Sequence, residues 1–387
     1  MHIAFLTPEY PHPNIAQSAG IGTSIKNLAT SLHNSGNTIT IFIYDQPIQD
    51  IFDDSGIRIY CIKKKKYKFL GWYLYRKHIE KFCNQIIKQE SIDVIEAADW
   101  TGTTAFMRFE IPLVIRFHGS DTYFCHLENR KQKLKNFWFE KLAINQANGF
   151  IAPTNFAGEL SEKLFRIKKK EILTIHNGLD LEKFENNCPE KFTKNTILYI
   201  GTLIRKKGVL ELPDIFNKVR QAFPEAKLLL IGSDSFDVKT NSKSTWNLMQ
   251  DLFTKDDLGN VNYLGKISYN EIQDYIKCAN VCVFPTYAET LGMVTIEAMA
   301  MQKAIVNSNI GWSQELIIDG ESGYLVHPSN HNLYAERITQ LFKDDSLVLQ
   351  LGKNARERVE EKFNINNLVF ENISFYQNII NSNKKAQ

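Results

Sequence analysis

The sequence predicts an α/β protein made of two doubly wound domains. Three observations carry this. The 387 residues exceed one typical domain and suit two. Short apolar runs alternate with helix-length amphipathic segments along the chain. A polar, aperiodic break interrupts that alternation near the middle.

The apolar runs fall into two series. The first comprises 2–7, 38–44, 92–96, 113–117, 149–153 and 172–175. The second comprises 196–201, 227–231, 261–264, 281–284 and 304–306. Such runs fit strands of a parallel sheet covered by helices on both faces. Amphipathic segments at 21–32, 73–88, 132–146, 209–222 and 289–301 supply helices between them. Strand and helix in repeated alternation give doubly wound sheets. The break is the segment 186–191, Asn-Asn-Cys-Pro-Glu-Lys. It sets a first domain at about 1–185 and a second at about 190–360. The tail 361–387 reads as a helix, 366–381, expected to return toward the first domain. Ligands of α/β sheets bind at the carboxyl ends of the strands, so two such domains predict a ligand cleft.

Composition narrows the class. The chain is 43% apolar and 23% charged, as expected of a globular protein with a full core. A net charge of +3 is too close to neutral for a general nucleic-acid binder. The start MHIAFLTPEYPHPN has no basic n-region and only a short apolar run, unlike a signal peptide. No stretch approaches the ~18 apolar residues of a membrane span. The six cysteines are scattered without a C-x-x-C and read as reduced thiols of a cytoplasmic protein.

The strongest chemical signal is Glu289-Thr290-Leu291-Gly292-Met293-Val294-Thr295-Ile296-Glu297, directly after the strand ending at Phe284. Two carboxylates flank a strand-to-helix turn. The amides of Thr290, Leu291, Gly292, Met293 and Val294 would lie at a helix N-terminus, which suits phosphate. Glu289 and Glu297 could each accept hydrogen bonds from vicinal sugar hydroxyls. Spacing alone fits equally well an ordinary helix with solvent-facing glutamates.

The segment from Phe284 to Ala300 resembles the signature of glycosyltransferase family 4 (glycosyl transferases group 1), retaining enzymes of the GT-B fold. Five further motifs appear in family order. They are Ala19-Gly20-Ile21-Gly22 after the first strand, His118-Gly119-Ser120-Asp121, and Ile175-His176-Asn177-Gly178-Leu179-Asp180. Gly201-Thr202-Leu203-Ile204-Arg205-Lys206-Lys207-Gly208 and Asp319-Gly320-Glu321-Ser322-Gly323-Tyr324-Leu325-Val326 complete the set. The resemblance implies two Rossmann-like domains facing each other across a cleft, the first taking the acceptor and the second the nucleotide-sugar. It implies a hexosyltransferase using a UDP- or GDP-sugar, and the basic, aromatic first domain leans toward a lipid-linked or cell-envelope glycan as acceptor, in lipopolysaccharide or polysaccharide biosynthesis. It assigns Glu289 to the donor sugar, Glu297 to the ribose, and Arg205 and Lys207 to the diphosphate. It gives His118 to the donor sugar from the first domain and the Gly22 amide to the phosphate.

The chain also departs from the family pattern. The usual Gly-Arg of the phosphate loop is Gly201-Thr202 here, with Arg205 the nearest substitute. The usual Gly-Gly-x-Pro-Glu after the donor helix is Gly311-Trp312-Ser313-Gln314-Glu315. No D-x-D is present, so chemistry without a metal or other cofactor is expected, with cations and helix amides taking the developing charge.

A basic, aromatic stretch stands apart. Eight Lys or Arg residues fall between 63 and 81 against one acid, Glu80, with Lys63, Lys64, Lys65, Lys66 and Trp72 at its start. Residues 130–138 have similar character. This fits docking to an anionic membrane, and hence a peripheral position on the inner face of the cell membrane. It fits equally a solvated basic face over a buried aromatic helix side. Rival functions are a nucleotide-sugar epimerase, a glycosyl phosphorylase, a silent sugar-nucleotide-binding protein and a dehydrogenase. The last is disfavoured because Gly20 comes thirteen positions after Thr7, too late for a dinucleotide fingerprint.

Overall fold

A computed structural model describes residues 1–15, 20–168 and 170–386, so Ala19 of the first glycine motif lies outside the described residues. The chain forms two compact units. Unit 1 is Met1–Asp180 together with the segment from Asn364 onward, and unit 2 is Leu181–Phe363.

Unit 1 holds β1 (His2–Thr7), β2 (Thr38–Gln46), β3 (Asp50–Asp54), β4 (Ile57–Lys63), β5 (Val94–Ala98), β6 (Leu113–Arg116), β7 (Gly149–Ala152) and β8 (Ile172–Thr174). Their order in the sheet is β3-β4-β2-β1-β5-β6-β7-β8. Every pairing is parallel except β3 with β4. One apolar cluster lies on each face, so the inner strands are buried on both sides. The β3–β4 hairpin has no counterpart among the apolar runs. β3 is acidic, lies at the sheet edge, and turns back through Ser55 and Gly56, both at positive φ.

Unit 2 holds β9 (Thr196–Ile200), β10 (Lys227–Ile231), β11 (Val261–Gly265), β12 (Val281–Phe284), β13 (Ala304–Ser308) and β14 (Tyr324–Val326). The order is β11-β10-β9-β12-β13-β14, parallel throughout. Counted within the unit this is 3-2-1-4-5-6, the Rossmann order, whose direction reverses between β9 and β12. β14 was not among the apolar runs, being three residues within the late turn.

Two boundaries differ from the sequence reading. The segment 186–191 lies inside unit 2, not between the units. Asn186 is buried there, and its side-chain amide donates to the Met301 carbonyl at 3.0 Å. Its polarity serves an internal bond instead of a linker. The helix read at 289–301 begins only at Met293, because Gly292 caps it in a left-handed conformation (φ 93°).

The helix Ile365–Ala386 belongs to unit 1 and buries Leu368, Val369, Tyr376 and Ile380. It also meets a buried ion pair within the sheet. The Arg116 guanidinium donates to Glu96 at 2.8 and 3.1 Å and to Asn372 at 2.6 Å, and the Tyr376 hydroxyl donates to Glu96 at 2.6 Å.

Candidate active site

In unit 2 the point where the strand order reverses is flanked by the loops that leave β9 and β12. These carry the two strongest sequence motifs. The β9 loop makes one 3₁₀ turn, Arg205–Lys207, ended by Gly208 at φ 67°. The Lys206 carbonyl accepts from the amides of Tyr287 (2.8 Å) and Ala288 (3.3 Å) in the β12 loop. A Cβ on Gly208 would collide with the Pro285 carbonyl, so the loops touch backbone to backbone. This stitching brings Lys207 Nζ onto the Glu289 carboxylate as an ion pair.

The pair is electrostatically poised. Burial pulls the Lys207 amine down to about 7, and the neighbouring Lys206 ammonium adds to the pull. The Glu289 carboxylate opposes both by favouring the charged form. The β12 loop is tied further: the Tyr287 hydroxyl donates to Glu211 at 3.0 Å, and Glu211 is bonded to His331 Nε2 at 2.7 Å.

The helix Met293–Ala300 starts three residues beyond Thr290. Met293 and Val294 supply its first-turn amides, which precede the helix's own ladder. Leu291 is buried, as are Thr290 and Glu297, and the latter two each have a bonding partner. Trp312 is fully buried, with its ring 3.4 Å from where a Gly292 Cβ would sit, and its indole N–H has no partner among the described residues. Arg205 does not point to the Glu289 side. Its guanidinium forks onto Asp237, Nε to Oδ1 at 2.9 Å and Nη2 to Oδ2 at 2.8 Å.

In unit 1, His118 follows β6 and is partly buried. Burial and the nearby Arg116 charge push its imidazole down to about 3, so it is neutral at pH 7. Its amide donates to Asp99 Oδ1 at 2.8 Å. Asp99 is buried at the carboxyl end of β5, and its Oδ2 has no partner among the described residues. Burial raises its carboxyl to about 8, the His118 amide opposes, and the Glu140 charge adds to the rise. Glu140 in turn accepts from the Asp121 amide at 2.8 Å and the Thr122 amide at 3.1 Å, seating the helix that follows His118.

Gly22 differs from expectation. It is the third residue of the helix Gly20–Asn34, and its amide donates to the Glu9 carboxylate at 2.8 Å. The donor meant for a phosphate already holds an anion. A Cβ at Gly22 would sit 3.0 Å from the Glu9 carbonyl carbon, so the glycine permits close backbone packing.

Sequence reading missed Asp99, Glu140, Asp237, Glu211 and His331. A polar residue at a strand's carboxyl end is a signal that could have flagged Asp99. The others carry no local pattern.

The basic stretch is one patch with the second. Trp72 packs on Phe139 (5.0 Å between centroids) and Phe106 (5.4 Å), and Arg76 lies over Phe139 at 4.5 Å. This joins the start of the helix Gly71–Glu90 to the helix Leu134–Gln146. Phe69 (83% exposed), Leu70, Leu134 (76%) and Trp138 project from it, and Lys63, Lys64, Lys65 and Lys66 are exposed beside them. Lys64 pairs with Asp45 at 3.5 Å. No described helix is long and apolar enough to cross a membrane.

Comparison with known proteins points to a family. The family model of glycosyl transferases group 1 matches residues 180–358, and that of Glycosyltransferase Family 4 matches residues 18–183. An uncharacterised glycosyltransferase of Methanocaldococcus jannaschii is 26% identical over 91% of this chain and 92% of its own length. The capsular polysaccharide biosynthesis glycosyltransferase CapM of Staphylococcus aureus is 29% identical over 59% of this chain and 60% of its own. Among solved structures, sucrose-phosphate synthase from Thermosynechococcus elongatus superposes with a TM-score of 0.79 at 21% identity, covering 98% of this chain and 99% of that one. The Anabaena protein HepE in complex with UDP and glucose gives 0.70 at 18% identity, covering 96% and 99%. The chain therefore belongs to the GT-B glycosyltransferases, enzymes that draw on a nucleotide-sugar.

Proposed function

We propose that the protein is a retaining, metal-independent hexosyltransferase that passes a sugar from a UDP- or GDP-sugar to a lipid-linked or cell-envelope glycan. The observation that carries this is the Lys207–Glu289 pair, set beside the first-turn amides of the helix Met293–Ala300 at the strand-order reversal of unit 2.

Charge balance gives the roles. When the glycosidic bond of the donor breaks, negative charge grows on the diphosphate. The Lys207 ammonium and the Met293 and Val294 amides face that charge, and removing one such group costs about 10²–10³ in rate. Glu289 accepts hydrogen bonds from the donor sugar and Glu297 from the ribose. His118, neutral at pH 7, can exchange a hydrogen bond with a sugar hydroxyl without adding charge. For retention we propose front-face attack: the acceptor oxygen bonds to the anomeric carbon on the side the diphosphate leaves, and a phosphate oxygen takes its proton. HepE, with UDP and glucose bound, supports a uridine donor, and CapM supports a polysaccharide acceptor. The patch around Trp72, Phe69, Leu134 and Lys63–Lys66 would rest on an anionic membrane, each basic residue there contributing about 1 kcal/mol.

The test is donor hydrolysis over a panel of nucleoside diphosphate sugars in excess chelator. Wild-type protein should release one nucleotide, with Glu289→Ala and Lys207→Ala about 10²–10³ slower. Dependence on added divalent metal would overturn the metal-independent part. No release and no stabilisation by any nucleotide would favour a silent sugar-nucleotide-binding protein. Sedimentation with anionic vesicles, lost when Lys63–Lys66 become Ser, tests the membrane contact.

A further inference from the structure

We infer that Arg205 is a positioning residue: its forked bond to Asp237 fixes the loop that presents Lys207, and it is not a ligand of the donor's diphosphate. This rests on the reading above for what the loop does.

The 3₁₀ turn Arg205–Lys207 is held from two sides. On one, the Lys206 carbonyl, Gly208 and the Lys207 side chain engage the β12 loop. On the other, ties run along the loop that leaves β10. The Gly201 amide donates to the Ile231 carbonyl at 2.9 Å, the Leu203 amide to the Ser233 carbonyl at 2.8 Å, and Arg205 then reaches Asp237. Residues 201, 203 and 205 thus grip 231, 233 and 237 in turn.

Asp237 is built to receive the fork. It is 2% exposed and also accepts from the Thr240 amide (3.0 Å) and hydroxyl (2.6 Å), while its own amide donates to the Ser242 carbonyl at 2.9 Å. Three residues back, Asp234 accepts from the Thr245 and Trp246 amides at 2.9 and 3.0 Å, which ties this segment to the start of the next helix. Nε and Nη2 of Arg205 are both committed to a carboxylate that its partners hold far below the usual range. A diphosphate would have to displace that carboxylate from an ideal two-pronged match. The planar fork also explains why the position holds Arg: a lysine ammonium cannot make two parallel bonds. Cationic contact with the leaving group then falls to Lys207.

The experiment compares wild type with Arg205→Ala, Arg205→Lys, Asp237→Asn and the double variant Arg205→Ala/Asp237→Asn. Two readouts are used: kcat and KM for donor hydrolysis, and amide hydrogen exchange over 203–208 and 234–242 without donor. Expected are equal falls in kcat of about 10–100-fold in every single variant, little change in KM, no further loss in the double variant, and faster exchange in both segments. Full activity in Asp237→Asn beside an inactive Arg205→Ala, or in Arg205→Lys, would sink the idea and return Arg205 to the diphosphate. So would multiplying losses in the double variant. If wild type hydrolyses no donor, the proposed function fails but exchange still decides the latch: unchanged exchange at 234–242 in Arg205→Ala overturns it, and faster exchange upholds it.

Discussion

Asp99 and Lys207 both depart far from ordinary titration, and their departures have opposite consequences. The Asp99 carboxyl is raised from 3.8 to about 8, so between those values the folded chain keeps a proton that the unfolded chain has released. Stability from this group is present at low pH and lost as pH rises, at up to about 1.4 kcal/mol per pH unit. Asp99→Asn keeps an acceptor for the His118 amide without the titration. The difference in stability between wild type and Asp99→Asn, read by urea unfolding, should therefore grow in the variant's favour from pH 5 to 8. For Lys207, burial and the Lys206 charge draw the amine from 10.5 toward about 7, while the ion pair with Glu289 favours the charged form, so part of the free protein above that value is uncharged. A diphosphate will pull a proton onto it. Calorimetry of nucleoside diphosphate binding at pH 8 in buffers of different ionisation heat should register net proton uptake, absent in Lys207→Met. His118 acts in the opposite sense to Asp99: lowered from 6.5 to about 3, it stays neutral in the folded chain while the unfolded chain gains a proton, so it costs stability as pH falls below 6.5.

At the scale of elements, the site is a product of loops pressed together, and this decides how much of it the sequence disclosed. Most parallel strands, though not β4 or β14, were legible because burial on both faces leaves continuous apolar runs, as in residues 3–6 of β1 or Val281–Phe284. The acidic edge strand Asp50–Asp54 was not, since only one of its faces meets other residues. The motifs at 201–208 and 284–297 were visible separately. Their contact depends on β9 and β12 being neighbours in the sheet, a fact of topology. Asp237 was invisible, because its partner Arg205 lies 32 positions earlier and no local rule links them. Gly208 tests the loop contact directly. Gly208→Ala forces a side chain into the Pro285 carbonyl at a left-handed φ, so we expect about 1–3 kcal/mol of lost stability and a larger proportional loss of donor turnover. Thermal unfolding beside hydrolysis rates checks both. Equal activity in that variant would mean the two loops need not touch.

For the whole molecule, the buried pair Arg116–Glu96 is the joint on which unit 1 depends. Both charges are almost wholly enclosed, and the last helix supplies Asn372 and Tyr376 as partners. Such a pair is weak evidence of net stabilisation, but breaking it leaves an uncompensated charge and costs about 3–5 kcal/mol. Arg116→Met should lower the unfolding transition of unit 1 by that order and leave the transition of unit 2 in place, since the two units have separate cores. Tyr376→Phe, which removes one donor, should cost about 1–3 kcal/mol. Differential scanning calorimetry separates the transitions. A uniform shift of all unfolding would show that the units melt as one.

Unit 1 is also discontinuous: its final segment is separated from the rest by the whole of unit 2. On a ribosome the first 180 residues emerge with Arg116 and Glu96 lacking two of the groups that accommodate them. Unit 2 is contiguous and can settle while its neighbour waits. The nascent chain must therefore carry a sheet without its last covering helix, its apolar flank open where the helix Ile365–Ala386 will lie, through the synthesis of nearly half its length. Translation beyond Asn364 is the event that closes it, so termination just after Phe363 leaves a complete second unit attached to an aggregation-prone first.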